Sequence, residues 1–211
     1  MDFVTLLIGL DLSVKMLELS IEKKCYNLLV SCDVTKFLDQ MIRDKSREGG
    51  RVVSISDESG MKVGSSEIEN VNSIKEVNLY NTFTGTSSST SAQYPAVIAA
   101  ADVFVYIGNL SPIFSRACQI LRNNDVLIFT VEENVNVNNN IDASTSKEDD
   151  GWFLQKSGRF AHSERYIRKL IEAECIDLKI VSLEKITPRY ENELPIKGML
   201  VTVMKMKEEG S

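Results

Sequence analysis

A chain of 211 residues has room for one domain carrying sizeable insertions, and two full domains are not expected. With 43% hydrophobic and 26% charged residues it can bury a core, and a net charge of −6 leaves no electrostatic footprint for nucleic acid or an anionic membrane surface. No run approaches the roughly 18 apolar residues of a membrane span, and Met1 to Leu10 lacks the basic flank and cleavage site of a secretory leader, so a soluble, cytoplasmic protein is expected. Cys25, Cys32, Cys118 and Cys175 show no CxxC spacing and sit among apolar neighbours, which predicts neither a disulfide nor a metal site.

The elements follow in chain order. FVTLLIGL (Phe3 to Leu10) is a continuous apolar run, the pattern of a strand covered on both faces, and it ends at Asp11. Ser13 is placed to cap a helix carrying Met16, Leu17 and Ile21. The syntax repeats with NLLVSC (Asn27 to Cys32), Asp33, and a helix capped by Thr35 with Phe37, Leu38, Met41 and Ile42 on one face. From about 45 to 93 the chain turns to Ser, Thr, Gly and charge and reads as an insertion, with RVVSIS as one edge-strand candidate. AVIAAA (Ala96 to Ala101) resumes the strands and is followed by Asp102. A helix comes next, entered through Ser111 and Pro112 and carrying Ile113, Phe114, Ala117, Ile120 and Leu121. VLIFTV (Val126 to Val131) is another buried strand, and a second polar insertion spans about 134 to 150. Ser163 caps a helix with Tyr166, Ile167, Leu170 and Ile171 as its stripe, and strands at Leu178 to Ile186 and Met199 to Met206 flank a turn-rich PRYENELPIKG. Because no helix joins those two strands, they should pair antiparallel. The fold expected is α/β: a Rossmann-like, mostly parallel sheet with helices on both faces and a C-terminal antiparallel strand pair, a single domain over 1–211. Ligands of such sheets sit at the carboxyl ends of the strands, where Asp11, Asp33 and Asp102 lie.

The stretches GLDLSVKMLE, LLVSCDV, YPAVIAAADVFVYIGNLSPIF, VLIFTVEE, LQKSGRFAHSERYIRKLIEAE and PRYENELPIKGMLVTV cover about two thirds of the chain. In wording and order they resemble class I S-adenosylmethionine-dependent methyltransferases, in particular the type 11/12-like enzymes often fused to TPR repeats. The resemblance implies S-adenosylmethionine as cofactor and methyl transfer by in-line displacement, without a covalent intermediate, to a small-molecule or protein acceptor. It places Asp11 and Leu12 at the cofactor ribose, Asp33 and Val34 at the adenine, and Asp102 beside the sulfonium, with Tyr106 near it. An acid after a strand is also an ordinary turn or cap residue, so each assignment carries a plainer alternative. Arg159 is a candidate clamp for an anionic acceptor or a surface ion-pair partner. His162 is a candidate base or substrate contact, or an exposed loop residue.

The family carries a strand ending in a Gly-rich turn before the GLDLS-like element, and nothing of that kind precedes Phe3. The first, central strand is therefore expected to be missing, and the chain as given is expected to bind the cofactor weakly or not at all. A truncated, catalytically inactive interaction module is the alternative. A nicotinamide-dependent oxidoreductase is a second one, disfavoured by the absence of GxGxxG and by the terminal antiparallel pair.

Overall fold

A computed structural model describes residues 7–46, 62–64, 95–134 and 151–207. They belong to two compact units, Met1–Tyr94 and Pro95–Ser211.

The first unit opens with β1 (Ile8–Asp11), α1 (Val14–Ile21), β2 (Leu28–Ser31), α2 (Val34–Ser46) and β3 (Lys62–Gly64). β1 and β2 pair in parallel from Ile8↔Leu28 to Asp11↔Ser31. Asn27 aligns the strand starts, its Oδ1 accepting from the Leu7 N–H at 2.7 Å and its own N–H donating to the Leu7 carbonyl at 2.8 Å. β3 lies antiparallel on the other edge of β2. The edge-strand candidate RVVSIS falls outside the described residues, and Lys62–Gly64 takes the edge position. Ser13 caps α1 as expected, accepting from the Met16 N–H. For α2 the cap is Asp33 rather than Thr35: Asp33 Oδ1 accepts from the N–H groups of Thr35 and Lys36 and from the Thr35 hydroxyl. A carboxylate one residue before the first turn satisfies its orphan amides better than a hydroxyl already inside it. Among the described residues of this unit, Leu28, Leu29, Val30, Cys32, Leu38 and Met41 are buried, whereas α1 buries no residue.

The second unit holds β4 (Val97–Ala100), a 3-10 turn (Phe104–Tyr106), α3 (Ser111–Ile120), β5 (Val126–Glu133), β6 (Trp152–Leu154), β7 (Phe160–His162), α4 (Glu164–Glu174), β8 (Leu178–Glu191) and β9 (Leu194–Lys205). β5 is its axis. β4 lies parallel on one edge of β5, from Val97↔Val126 to Ala100↔Phe129, and β9 runs antiparallel on the other, from Val126↔Met204 to Glu132↔Gly198. β7 pairs parallel with the last residues of β5, β6 folds back on β7, and β8 is antiparallel to β9. Asp125, 1% exposed, sets the start of β4 against β5: it accepts from the Ala96 N–H and the Arg122 N–H, both at 2.8 Å, and pairs with the Arg122 guanidinium.

The core follows from alternation. Leu127, Phe129 and Val131 on β5 and Met199, Val201 and Val203 on β9 are opposite each other in register and all buried. Phe129 meets Phe104 at 5.2 Å and Phe114 of α3 edge-on at 5.4 Å. α3 and α4 pack against each other, and α4 against β8.

Two sequence expectations are corrected in this unit. PRYENELPIKG is strand, not loop: the ladder runs through Arg189↔Ile196 to Glu191↔Leu194, and the chain reverses over Asn192 and Glu193 alone, at φ 48° and 67°. Gly198 makes the hairpin fit, since a Cβ there would meet the Val131 carbonyl oxygen at 2.7 Å and the Pro188 ring at 2.8 Å. The second correction is a disulfide between Cys118 and Cys175, whose Cα atoms are 5.8 Å apart. The two cysteines are 57 positions apart, so the pair is created by α3 packing on α4 and leaves no local spacing to read.

Candidate functional site

Strand ends concentrate polar groups in both units. In the first, Asp11 closes β1 and Asp33 comes just after its parallel neighbour β2, and the chain is held there by the Cys32 N–H donating to the Asp11 carbonyl at 3.2 Å. Asp11 Oδ1 accepts from the Ser13 N–H at 2.7 Å, an Asx turn that fixes the carboxylate and leaves Oδ2 for another donor. Leu12, beside it, is 70% exposed. Asp33 is held below the usual carboxylate range, chiefly by the Thr35 hydroxyl and then by the Lys36 and Thr35 amides, so it is a fixed anionic acceptor. Of the first α2 amides, Thr35 and Lys36 donate to the Asp33 side chain and Phe37 to its carbonyl. The remaining one, Val34 N–H at the helix start, is not among these donors.

In the second unit Asp102, Tyr106 and Arg159 come together. Arg159 Nη1 is 2.7 Å from Asp102 Oδ1, its Nη2 donates to the Tyr106 hydroxyl at 3.0 Å, and the guanidinium lies 5.1 Å from the centre of the Tyr106 ring. Asp102 adopts φ 56°, a left-handed conformation costly for a residue with a Cβ, and its N–H donates to Thr130 Oγ1 at 2.9 Å. Thus the ion-pair reading of Arg159 describes its state in this structure. Asp102 is a readily exposed partner, with 57% of its side chain accessible, so the bridge is weak and another anion can compete for the guanidinium.

Behind this trio lies a carboxylate that the sequence reading did not assign. Glu132, 2% exposed at the end of β5, accepts from Arg189 Nε at 2.9 Å and Gln155 Nε2 at 2.6 Å and lies 3.7 Å from Arg159 Nη1. Next to it, Lys185 bridges Glu133 at 2.7 Å and Glu164 at 3.1 Å. The signal was the pair of acids closing an otherwise apolar strand, VLIFTVEE; its partners on β8 and in the β6–β7 hairpin lie too far along the chain to be matched by spacing.

His162 is elsewhere. It is fully buried, which overturns the exposed-loop alternative, and it stacks on Tyr166 at 5.8 Å. Its Nε2 is 2.9 Å from the Gly108 carbonyl, so that nitrogen carries the proton and donates, while Nδ1 has no partner. Burial pushes its pKa below the usual histidine value, against the raising effect of the backbone carbonyls. Ser163 caps α4 as expected, accepting from the Tyr166 N–H.

Searches of protein-family models and of curated proteins gave no match. Solved structures did. The chain resembles S-adenosylmethionine-dependent methyltransferases. One, from Listeria monocytogenes, is 15% identical over 97% of this chain and 82% of that one, with a TM-score of 0.47. A second, from Methanosarcina mazei, is 16% identical over 53% and 59% of the two chains, with a TM-score of 0.40. A third, the N-methyltransferase NodS from Bradyrhizobium japonicum in complex with S-adenosyl-L-homocysteine, is 15% identical over 56% and 50%, with a TM-score of 0.34. The chain thus spans about half to six tenths of the last two. Among the described residues, no helix is long and apolar enough to cross a membrane.

Proposed function

We propose that the protein binds S-adenosylmethionine and transfers its methyl group to a small-molecule or protein acceptor. The observation that carries this reading is the donor and acceptor set at the ends of β1 and β2: Asp11 with Oδ2 to spare, the ionised Asp33, and the Val34 N–H left over at the start of α2. Those groups fit an adenosine. Asp11 accepts the ribose hydroxyls as charge-assisted bonds, Asp33 accepts from the adenine amine, and Val34 N–H donates to a ring nitrogen. The cofactor would supply a methyl group activated by a positively charged sulfur. Within the second unit, Arg159 and Tyr106 are suited to orienting an anionic or hydroxyl-bearing acceptor. His162, enclosed and neutral, supports the Gly108 backbone instead of exchanging protons with an acceptor.

Calorimetry with S-adenosylhomocysteine tests the first step. Asp11→Ala should weaken binding by about 1.5–3 kcal/mol with the fold intact, the range for a hydrogen bond to a charged group. An unchanged affinity overturns the ribose assignment. Incubation with methyl-labelled cofactor and cell extract, followed by mass spectrometry, identifies the acceptor.

The inactive-module reading rests on a different observation. Among the described residues, β1 is paired only with β2, and β4 only with β5. Each therefore has one edge with backbone groups available to another strand. Cofactor binding without turnover on any extract would favour that reading.

A further inference from the structure

We propose that Cys118 and Cys175 form a reversible dithiol–disulfide site oxidised by hydroperoxides, with Cys118 as the attacking thiolate and Cys175 as the resolving thiol. Cys118 lies in the last turn of α3 and Cys175 directly follows α4, and their bond in this structure shows that the backbone needs no rearrangement to join them. The two sulfurs differ in surroundings. Cys118 is half-buried and Cys175 is 3% exposed, so the former is the one a reagent reaches. Lys205 Nζ, held by a 2.7 Å hydrogen bond to the Cys118 carbonyl, is 3.8 Å from Cys118 Sγ. A cation at that distance favours the thiolate, the nucleophilic form, although Asp177 at 4.0 Å from the same ammonium offsets part of its charge. The free cysteines lack this setting. Cys32 is buried, and burial together with Asp33 raises its pKa, which disfavours its thiolate; Cys25 is exposed.

The steps balance. The Cys118 thiolate attacks the terminal oxygen of ROOH, the O–O bond breaks, and Cys118 leaves as a sulfenic acid while RO⁻ takes the proton of Cys175 to give ROH. The Cys175 thiolate then attacks the Cys118 sulfur and expels hydroxide, which takes the proton Cys118 had earlier lost and departs as water. Two thiols are oxidised by two electrons, and the peroxide is reduced by two. A thiol reductant reverses the bond by exchange at the accessible Cys118 sulfur.

Closing the bond clamps a helix pair that is already tied elsewhere. Tyr166 of α4 accepts from the Leu110 N–H at 2.8 Å at the head of α3, and Ser111 donates to Glu174. The bond adds a covalent tie between the last turn of α3 and the start of the Cys175–Leu178 turn, where the Leu178 N–H donates to the Cys175 carbonyl at 3.0 Å. Reduction should loosen those two places and leave the β5–β9 ladder alone.

The full chain, reduced and then treated with hydrogen peroxide, is alkylated under denaturing conditions and mapped by mass spectrometry. The expected result is a Cys118–Cys175 cross-linked peptide with Cys25 and Cys32 alkylated, reopened by dithiothreitol in native buffer. On reduction the melting midpoint should fall by about 10 °C and amide exchange should quicken at 118–121 and 174–178. Cys175→Ser should leave a Cys118 sulfenic acid trapped by dimedone, and Lys205→Met should slow oxidation roughly tenfold. The proposal is overturned if both thiols stay open after peroxide, if the bond resists dithiothreitol in the folded protein, or if Cys175→Ser yields no sulfenic acid.

Discussion

His162 and Asp33 show how the same residue types divide between holding the fold and meeting a ligand. Asp33 spends one oxygen on the α2 amides and keeps a charged second one, whereas His162 is wholly enclosed, neutral and bound to Gly108. Because its folded pKa lies below the free value of 6.5, the unfolded chain takes up a proton first as pH falls. Its contribution to stability is complete above the free value and is lost as pH falls toward the folded pKa, below which nothing more is lost. His162→Gln keeps an N–H for the Gly108 carbonyl and cannot titrate. Urea unfolding between pH 7.5 and 5 should therefore show the parent losing stability faster than the variant, by up to about 1.4 kcal/mol per pH unit; parallel curves would refute the assignment. At this scale the sequence was legible where a residue acts on its near neighbours, as with Ser13, Ser163 and the Asx turn of Asp11. It was silent on Glu132, Arg189 and Gln155, whose meeting depends on three elements arriving at one place, and on the depth of His162, because burial is a property of packing rather than of the loop position that its neighbours suggest.

Along β5, β8 and β9 the apolar runs announced the strands but understated their reach, since Glu132, Glu133, Arg189–Glu191 and Leu194–Ile196 are polar or turn-like and still pair. Edge and arm positions face water, so composition there follows solvent and not the ladder. The buried face is unambiguous. Phe129→Ala removes the ring between Phe104 and Phe114 and should cost about 3–5 kcal/mol in denaturant unfolding, while Phe129→Leu should cost under about half of that. A loss below 1 kcal/mol for the alanine variant, roughly the value of an exposed site, would show the cluster to be loosely packed. The hairpin turn offers the opposite sign. Asn192 and Glu193 both hold positive φ, as a type I′ turn requires, and Asn-Gly is the pair best suited to it. Glu193→Gly should therefore stabilise the second unit by about 0.5–1 kcal/mol, read as a raised melting midpoint; a lowered one would mean that the Glu193 side chain contributes more than its backbone costs.

The two units differ in the core that their described residues bury, and the opening energies of those parts should differ accordingly. Among the described residues, the first buries six apolar side chains, five on β2 and α2 and Cys32 just after β2, with Val14, Met16 and Leu19 of α1 exposed; the second has the aromatic cluster, both faces of the α3–α4 contact and a ladder of seven residue pairs between β5 and β9. Native-state hydrogen exchange should find the slowest amides at Leu127–Val131 and Val201–Val203 and markedly faster ones at Leu28–Val30; equal protection would show that the units open together. Of the whole-molecule features, the antiparallel closing pair was readable, because a connection without a helix cannot make a crossover. The two-unit partition was not, since patterning reports elements and not which of them share a core. The position of β9 has a kinetic consequence. It lies between β5 and β8 although it is the last strand described, so the contact at the middle of this sheet joins residues 126 and 204. The β8–β9 hairpin can assemble locally, but β5 must wait for it, and until then one whole edge of that strand, with its apolar run Val126–Phe129, stays open to any passing strand. Folding speed and aggregation in this protein are thus set by one docking event, the arrival of a finished hairpin against a waiting β5.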